Sequence, residues 1–242
     1  MPRGPAQDDE RLFGHDRLGA LRLAVWELSW LLGRGYAEDS ALKLVGDRHG
    51  LLARQRTAAL RCACTDAAVE HRRNRRLRGE ALAGRALAID GFNQLIAVEV
   101  ALSGGVILIG RDGVLRDMAG IHGSYKRSER TLEAATAIGE RLEAMATGPV
   151  VWWLDRPVSN SGRLRAMLLE LSEQRGWGWQ VELDLDPDRV LIASDAVVAS
   201  GDAWILDEAR VHFDLARETI ATCCPQAWRV DLEVLDDPAS TR

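Results

Sequence analysis

The sequence predicts an α/β protein in which a small all-helical unit (residues 1–70) and a basic linker (71–84) precede a mostly parallel α/β domain (85–242). Two observations lead to this prediction. Apolar residues recur at helical spacing in the first part, and from residue 85 short apolar runs alternate with amphipathic stretches. Because strands that are apolar throughout are typical of a parallel sheet covered on both faces, the second part is predicted to have three layers, α/β/α.

The N-terminal unit is predicted to contain three helices. The first carries apolar residues spaced along one face, at Leu21, Val25, Leu28 and Leu32. The second begins at about Asp39 and the third at about Leu51, with the short turn GDRHG between them. This turn permits a helix-turn-helix, whose second helix would present arginines to a nucleic acid. Those arginines are Arg54, Arg56 and Arg61. A plain helical bundle with the same arginines facing water is the alternative.

Positive charge is concentrated in one segment. Residues 48–85 contain ten arginines and three acids, a local charge of +7 in a chain whose net charge is −5. A basic segment joined to an acidic body suits a protein that binds a polyanion with one part and divalent cations with another. The candidate nucleic-acid contacts here are Arg72, Arg73, Arg75 and Arg76, followed in a later loop by Lys126 and Arg127. A solvated helix or linker is the alternative.

The second part of the chain alternates candidate strands and helices. The candidate strands are 85–90, 104–110, 148–155, 179–185, 189–194 and 203–207. The candidate helices are at about 92–102, 128–146 and 161–176, with one more near the C-terminal end. In an open parallel sheet, ligands bind beyond the carboxyl ends of the strands. We therefore expect a functional site among the residues that follow these runs.

Three of the candidate strands end in an acid. These acids are Asp90, Asp155 and Asp195. If the strands are parallel neighbours, the three carboxylates converge on one edge of the sheet. A hard divalent cation such as Mg²⁺ or Mn²⁺ prefers an oxygen-only, negatively charged pocket of this kind. The pattern predicts a metal site in which these acids are both ligands and catalytic residues.

Short polar residues accompany the acids and could bind metal waters or phosphate oxygens. They are Asn93, Ser159, Asn160, Ser161 and Ser194. Asp202 and Asp207, in the stretch SGDAWILDEA, are expected near the same edge, with Asp207 at a possible strand end. Asn160 or Ser161 could instead only cap the following helix, whose N-terminal amides favour an anion. Asp112, which precedes Gly113, is predicted to be structural because Asp-Gly favours a tight hairpin turn.

The composition argues against several classes of protein. No apolar run is long enough to span a membrane, and the N-terminus lacks the basic-then-apolar order of a secretory signal. We therefore expect a cytoplasmic protein without a membrane partner. The cysteine pairs, Cys62 with Cys64 and Cys223 with Cys224, lack the two-residue gap typical of zinc sites.

Several motifs make the whole chain resemble an uncharacterised two-part prokaryotic family, a domain of unknown function. The motifs are LLGRGY, ALKLVGDR, AIDGFNQLI, HGSYKRS, LDRPVSNSG and ILDEA, and they span residues from about 18 to 210. This resemblance implies a two-part organisation. It implies no particular activity.

The C-terminal part is also similar to the PIN-like nucleases, in particular their NYN branch. The similarity lies in the order of AIDGFNQLI, VVWWLD and VLIASD. In that superfamily, strand-end acids hold magnesium or manganese and a metal-activated water cleaves RNA. Carried over, the resemblance implicates Asp90, Asn93, Asp155, Ser194 and Asp195. The chain departs from the pattern after the middle strand, where PVSNSGRLR stands in place of a further acid or acidic pair.

These features predict a divalent-metal-dependent ribonuclease that uses Mg²⁺ or Mn²⁺. RNA is the expected partner, DNA is an alternative, and a homo-oligomer is compatible with the sequence. A non-catalytic nucleic-acid-binding protein with a degenerate nuclease fold is the second hypothesis, because the helix acids are missing. A magnesium-dependent enzyme acting on a small nucleotide or phosphate ester is the third, although the chain has no P-loop and no dinucleotide glycine motif.

Overall fold

The N-terminal part of the protein is helical. The computed structural model describes residues 3–119, 125 and 128–234. Its first five helices are α1 (Asp9–Phe13), α2 (His15–Leu32), α3 (Glu38–Arg48), α4 (Ala53–Cys62) and α5 (Asp66–Arg75). The three helices predicted from periodicity correspond to α2, α3 and α4. Helix α5, whose N-terminus is capped by the Thr65 hydroxyl accepting from Ala68 N at 3.1 Å, extends into the segment predicted as a basic linker.

A five-stranded parallel sheet forms the centre of the second part. Its strand order is β5-β4-β1-β6-β7, and every described pairing in it is parallel. The strands are β1 (Leu87–Asp90), β4 (Val150–Asp155), β5 (Gln180–Asp184), β6 (Val197–Ala199) and β7 (His212–Phe213). The helices are α6 (Gly91–Leu102), α7 (Thr131–Ala144), α8 (Ser161–Arg175), α9 (Pro187–Ile192), α10 (Ala203–Glu208) and α11 (Leu215–Cys223), with a 3₁₀ turn at Gly79–Leu82.

The two faces of this sheet are buried by different helices. In β1, Leu87 and Ile89 belong to the main core with α6, α7, α8 and α11. Ala88, on the opposite face, packs in a smaller cluster with residues of α9 and α10. This alternation follows from the two-residue repeat of a strand. The structure is therefore a mixed α/β fold with helices on both faces of a mostly parallel sheet, as predicted.

A second, smaller sheet joins the helical unit to the rest of the molecule. Strands β2 (Ile107–Ile109) and β3 (Leu115–Asp117) form an antiparallel hairpin, and β8 (Arg229–Asp231) pairs parallel to β2. Val106, Leu108 and Val230 share one core with Leu21, Val25 and other apolar residues of the helical unit. The predicted strand 104–110 thus exists, but it lies in this sheet and not in the main one.

Two predicted strands are helices in the structure. Segment 189–194 lies mostly in α9 and segment 203–207 in α10. Both follow helix-start signals: Asp186 caps α9 ahead of Pro187 at its first turn, and Asp202 caps α10. The apolar runs were too short for periodicity to separate strand from helix. On the side of β1 away from β4, the paired strand is β6, which consists of three residues with the sequence VVA.

Helix α5 is anchored by a buried ion-pair cluster. Asp112 accepts hydrogen bonds from Arg72 Nη1 at 2.7 Å and from Arg116 Nη2 at 2.6 Å, and its other oxygen accepts from Val114 N at 3.1 Å. Arg72 also donates to both carboxylate oxygens of Asp207, at 2.7 and 2.9 Å. Burial alone would raise the pKa of Asp112, but the two guanidinium groups hold it well below its usual range. Asp112 is therefore structural, as predicted, and the buried Arg72 joins it to the partly exposed Asp207 in an internal network.

The other arginines of the segment also bind protein acceptors. In α5 and just after it, Arg73 pairs with Glu233, Arg75 donates to the carbonyls of Asp207 and Ala209, and Arg76 pairs with Asp214. In α4, Arg54 pairs with Asp9, Arg56 with Asp47, and Arg61 donates to the carbonyls of Asp117 and Ala119. These arginines of the basic segment thus have structural partners, and their predicted contact with a nucleic acid stays a prediction. Lys126 and Arg127 lie outside the described residues.

Replacing Arg72 with Ala tests the importance of this cluster. We expect the free energy of unfolding to fall by about 3 kcal/mol or more, because the buried Asp112 loses one of its two guanidinium partners and Asp207 loses its ion pair. The control is Arg73→Ala, one residue away, which breaks an ion pair with side chains 41% and 38% exposed. That change should cost less than about 1 kcal/mol. Urea unfolding followed by tryptophan fluorescence measures both; equal losses would contradict the assignment.

Candidate functional site

Asp90 occupies the junction between β1 and α6. It ends the strand and caps the helix, with its Oδ1 accepting from Asn93 N at 3.4 Å. Its Oδ2 accepts from the Ser200 hydroxyl at 2.7 Å. The following residue must be glycine, because a Cβ at Gly91 would lie 2.5 Å from Leu154 Cδ2 and 2.9 Å from Trp153 O. The Asp-Gly pair therefore places a carboxylate directly beside β4.

Asn93 is a positioning residue and its amide oxygen is already occupied. Asn93 Oδ1 accepts from Gly201 N at 2.8 Å and from Gln94 Nε2 at 2.8 Å. Its contact with Gly201 fixes the loop that follows β6 against the start of α6. The prediction placed Asn93 at the site, and the structure does bring it to the same edge. With two hydrogen bonds to this oxygen, it is a poor candidate for a direct metal ligand.

The acid that follows β6, the neighbour of β1, is Asp202 and not Asp195. Strand β6 ends at Ala199, and Ser200-Gly201-Asp202 leads into α10, where Asp202 Oδ1 accepts from Trp204 N at 2.9 Å. Asp195 precedes β6; its side chain is 85% exposed and pairs with Arg210 at 2.6 Å. Ser194 makes only a local turn, accepting from Ala196 N at 3.1 Å. The residues predicted from VLIASD therefore lie outside the site, because that run belongs to α9.

Two further acids complete a negatively charged cluster. Asp155 ends β4, as predicted, and Asp188 lies in the first turn of α9. Burial, together with the negative charges of Asp202 and Asp155, raises the pKa of Asp188 to about 6. Burial also raises the pKa of Asp155. The sequence also places Asp202 near this edge, but sequence reasoning missed Asp188, whose signal is the DPDR helix start.

Asp90 carries the largest upward pKa shift in this cluster. Burial, together with the negative charges of Asp188 and Asp202, raises its pKa to about 7. The hydrogen bonds from Ser200 and Asn93 oppose the shift without reversing it. Near neutral pH this carboxyl group is therefore only partly ionised, which is typical of a functional carboxylate that awaits a cation or a proton transfer.

The polar turn after β4 supports the backbone and stays apart from this cluster. Asn160 has left-handed backbone geometry, with φ of 71°, and its Nδ2 donates to Tyr125 O at 2.8 Å. Ser159 O accepts from Tyr125 N at 3.2 Å, and the buried Ser161 donates to Arg156 O at 3.3 Å. The described part of the turn thus tethers Tyr125. None of its residues lines the cavity described next.

A cavity of about 430 Å³ opens between the sheet edge and the helical unit. Asp90, Asp155 and Asp202 line it from the main sheet. Residues of α4 and β3 line it from the other side, including Arg61, Arg116 and Asp117. Carboxylates and guanidinium groups therefore face the same space. Such a cavity can accept a ligand that is itself anionic, provided that a cation shields it from the acids.

The acids suit a hard divalent cation by their chemistry, since all are oxygen donors with accumulated negative charge. However, within residues 3–119, 125 and 128–234, no three His, Cys, Asp or Glu side chains stand close enough together to hold a metal ion. Rotation of the more exposed carboxylates would be needed to complete a ligand set.

Comparison with known proteins identifies the family. A model described as "Domain of unknown function (DUF5616)" matches residues 79–218, which is more than half of the chain. The chain belongs to the DUF5616 family. A second model, "Protein of unknown function (DUF434)", matches residues 20–75, within the helical unit. The predicted two-part family of unknown function is thereby confirmed.

The uncharacterized protein MJ0935 of Methanocaldococcus jannaschii is 28% identical over 196 residues, covering 80% of this chain and 93% of the relative. No solved structure matches the chain. The similarity to PIN-like nucleases therefore stays a prediction. No helix within the described residues is long and apolar enough to cross a membrane.

Asp90→Asn should stabilise the metal-free protein in a pH-dependent way. Because the folded pKa is about 7 against an ordinary 3.8, the native state holds the proton longer than the unfolded state, and wild-type stability falls as pH rises from about 4 to 8. The variant cannot ionise and escapes this loss. We expect it to gain on the order of 2 kcal/mol at pH 8 and little at pH 4.

Urea unfolding in chelator-treated buffer at both pH values measures this gain. Asp195→Asn is the matched control, since its carboxylate is exposed and lies outside the cluster. An Asp90→Asn gain that is the same at both pH values would contradict the raised pKa.

Proposed function

We propose that this protein is a divalent-metal-dependent phosphodiesterase that cleaves RNA, with a PIN-like arrangement of its α/β domain. The observation that carries the proposal is the position of the Asp90 carboxylate at the carboxyl edge of the parallel sheet, flanked by Asp155, Asp188 and Asp202. The position agrees with the rule that open α/β sheets bind ligands beyond their carboxyl ends. The cavity beside these acids also contains Arg61 and Arg116, which favour a phosphate-bearing ligand.

The chain's own residues have separable tasks under this proposal. Asp90, Asp155, Asp188 and Asp202 would hold Mg²⁺ or Mn²⁺, which when bound supplies an activated water and offsets charge on a phosphate. Ser200 orients the Asp90 carboxylate through its hydroxyl. Asn93 keeps the Ser200–Asp202 loop in register through Gly201 N. Arg61, fixed by two backbone carbonyls, contributes positive charge opposite the acids.

Substrate binding should depend only weakly on salt. The arginines of α4 and α5 are committed to internal carboxylates and carbonyls, so few are free to replace counterions along a polyanion. The cavity of about 430 Å³ has room for a short single-stranded segment and not for a duplex. The proposed substrate is therefore single-stranded RNA bound at the acidic edge.

Manganese titration of the wild type and of Asp90→Asn tests the proposal. We expect wild-type binding in the micromolar range at pH 8, weaker binding at pH 6 because Asp90 is then protonated, and at least about tenfold weaker binding in the variant. Isothermal titration calorimetry in chelator-treated buffer measures all three. The control is Asp195→Asn, which should bind manganese like the wild type.

RNA cleavage is the functional arm of the same test. With Mn²⁺, the wild type and Asp195→Asn should cleave a single-stranded RNA, and Asp90→Asn should not. Cleavage that survives in Asp90→Asn would contradict the site, and cleavage of a phosphate ester but not of RNA would move the protein to the third hypothesis.

A non-catalytic nucleic-acid-binding protein is the second candidate. The observation in its favour is that no three metal-ligating side chains within the described segments are already assembled around a common point. This candidate requires RNA binding that survives complete removal of divalent ions, with no cleavage under any metal. Binding that needs Mn²⁺ would count against it.

A further inference from the structure

Asp117 is a buried carboxylate that lacks a partner on one oxygen. It ends β3, its residue is 8% exposed, and it lines the cavity opposite Asp90. Its Oδ1 is buried and accepts no hydrogen bond. Buried polar side-chain atoms without a partner are uncommon in folded proteins, and each calls for an explanation.

Arg61 is close enough to form an ion pair with this oxygen but does not hydrogen-bond to it. Arg61 Nη1 lies 3.8 Å from Asp117 Oδ1, beyond hydrogen-bonding distance. It donates instead to the backbone carbonyls of Asp117 and Ala119, at 2.6 and 3.2 Å. Helix α4 is therefore attached to β3 through the main chain. The carboxylate of Asp117 is not required for that attachment.

The cavity divides into two chemically different sides. Asp90, Asp155 and Asp202 provide the side at which a cation and a phosphate would bind under the proposed function. Asp117 stands on the opposite side, on the small sheet. A carboxylate repels phosphate oxygens, so a ligand that reaches Asp117 must present a hydrogen-bond donor there. In a nucleotide, the donors are the ribose hydroxyl groups and the base amino and imino groups.

We propose that Asp117 is a recognition residue that accepts a hydrogen bond from the nucleoside portion of the substrate while the phosphate is held at the acidic edge. The proposal rests on the proposed function for the identity of the ligand. Burial raises the pKa of Asp117 to about 6, opposed by Arg61, so the group is largely an acceptor at pH 8. The 2′-hydroxyl is the donor that would make the protein prefer RNA to DNA.

The test compares ribo- and deoxyribo-oligonucleotides of one sequence in binding to Asp117 variants. Asp117→Leu removes the acceptor in a similar volume, and Asp117→Asn retains one acceptor oxygen without charge. Asp195→Asn, with its exposed carboxylate, is the control. Fluorescence anisotropy at pH 8 with Ca²⁺, which replaces Mn²⁺ to suppress turnover, gives each dissociation constant. Circular dichroism and urea unfolding confirm that every variant is folded.

We expect wild type to bind the ribo-oligonucleotide at least about tenfold more tightly than the deoxy form, and Asp117→Leu to reduce this preference to about twofold or less. Alternatively, Asp117→Leu could lower the affinity for both oligonucleotides equally, by roughly tenfold, and leave the affinity for an abasic analogue unchanged. That result would also support the proposal and would assign the donor to the base. Asp117→Asn should fall between wild type and Asp117→Leu. Wild-type affinity of folded Asp117→Leu for every oligonucleotide would overturn the proposal.

Failure of the recognition role of Asp117 can be distinguished from failure of the proposed function. If the protein binds RNA through Asp117 but never cleaves it with Mn²⁺, the catalytic assignment fails and the recognition role stands. If Mn²⁺-dependent cleavage is intact and Asp117→Leu changes neither KM nor the preference for RNA, the recognition role fails alone.

Discussion

The buried pairing of Asp112 with Arg72 and Arg116 is the interaction on which the arrangement of the molecule depends. It joins three parts of the chain: α5 of the helical unit, the β2–β3 turn, and, through Asp207, helix α10 of the main domain. Charges enclosed in this way are costly unless every donor and acceptor is matched. The network therefore favours one relative placement of the helical unit, the small sheet and the main sheet.

This placement creates the cavity. The helical unit shares its core with the small sheet, and α4 and β3 then face the carboxyl edge of the main sheet. The acids at that edge differ from the Asp112 network, because they raise one another's pKa and form no ion pair with any described residue. One acidic group is neutralised by arginines for stability, and the other keeps a negative charge that a ligand can compensate.

The sequence was sufficient for the fold class, for Asp90 and Asp155 at strand ends, and for Asp112 as a structural residue. It failed at Asp195, because the run VLIAS has the apolar content of a strand but follows a helix-start signal. Composition also could not show the partners of Arg72, because the two carboxylates that it binds lie 40 and 135 residues away along the chain. Asp188 joins the site only through tertiary packing.

Binding of a divalent cation by the acids at the carboxyl edge is the step on which the proposed function rests. Anomalous diffraction from crystals soaked in MnCl₂ tests this binding, because the manganese signal gives the position of the ion and not only its affinity. We expect one strong peak in the cavity, beside Asp90 and Asp202, that is absent from Asp90→Asn crystals. No peak in this cavity at millimolar manganese, or a peak only at Asp195, would contradict it.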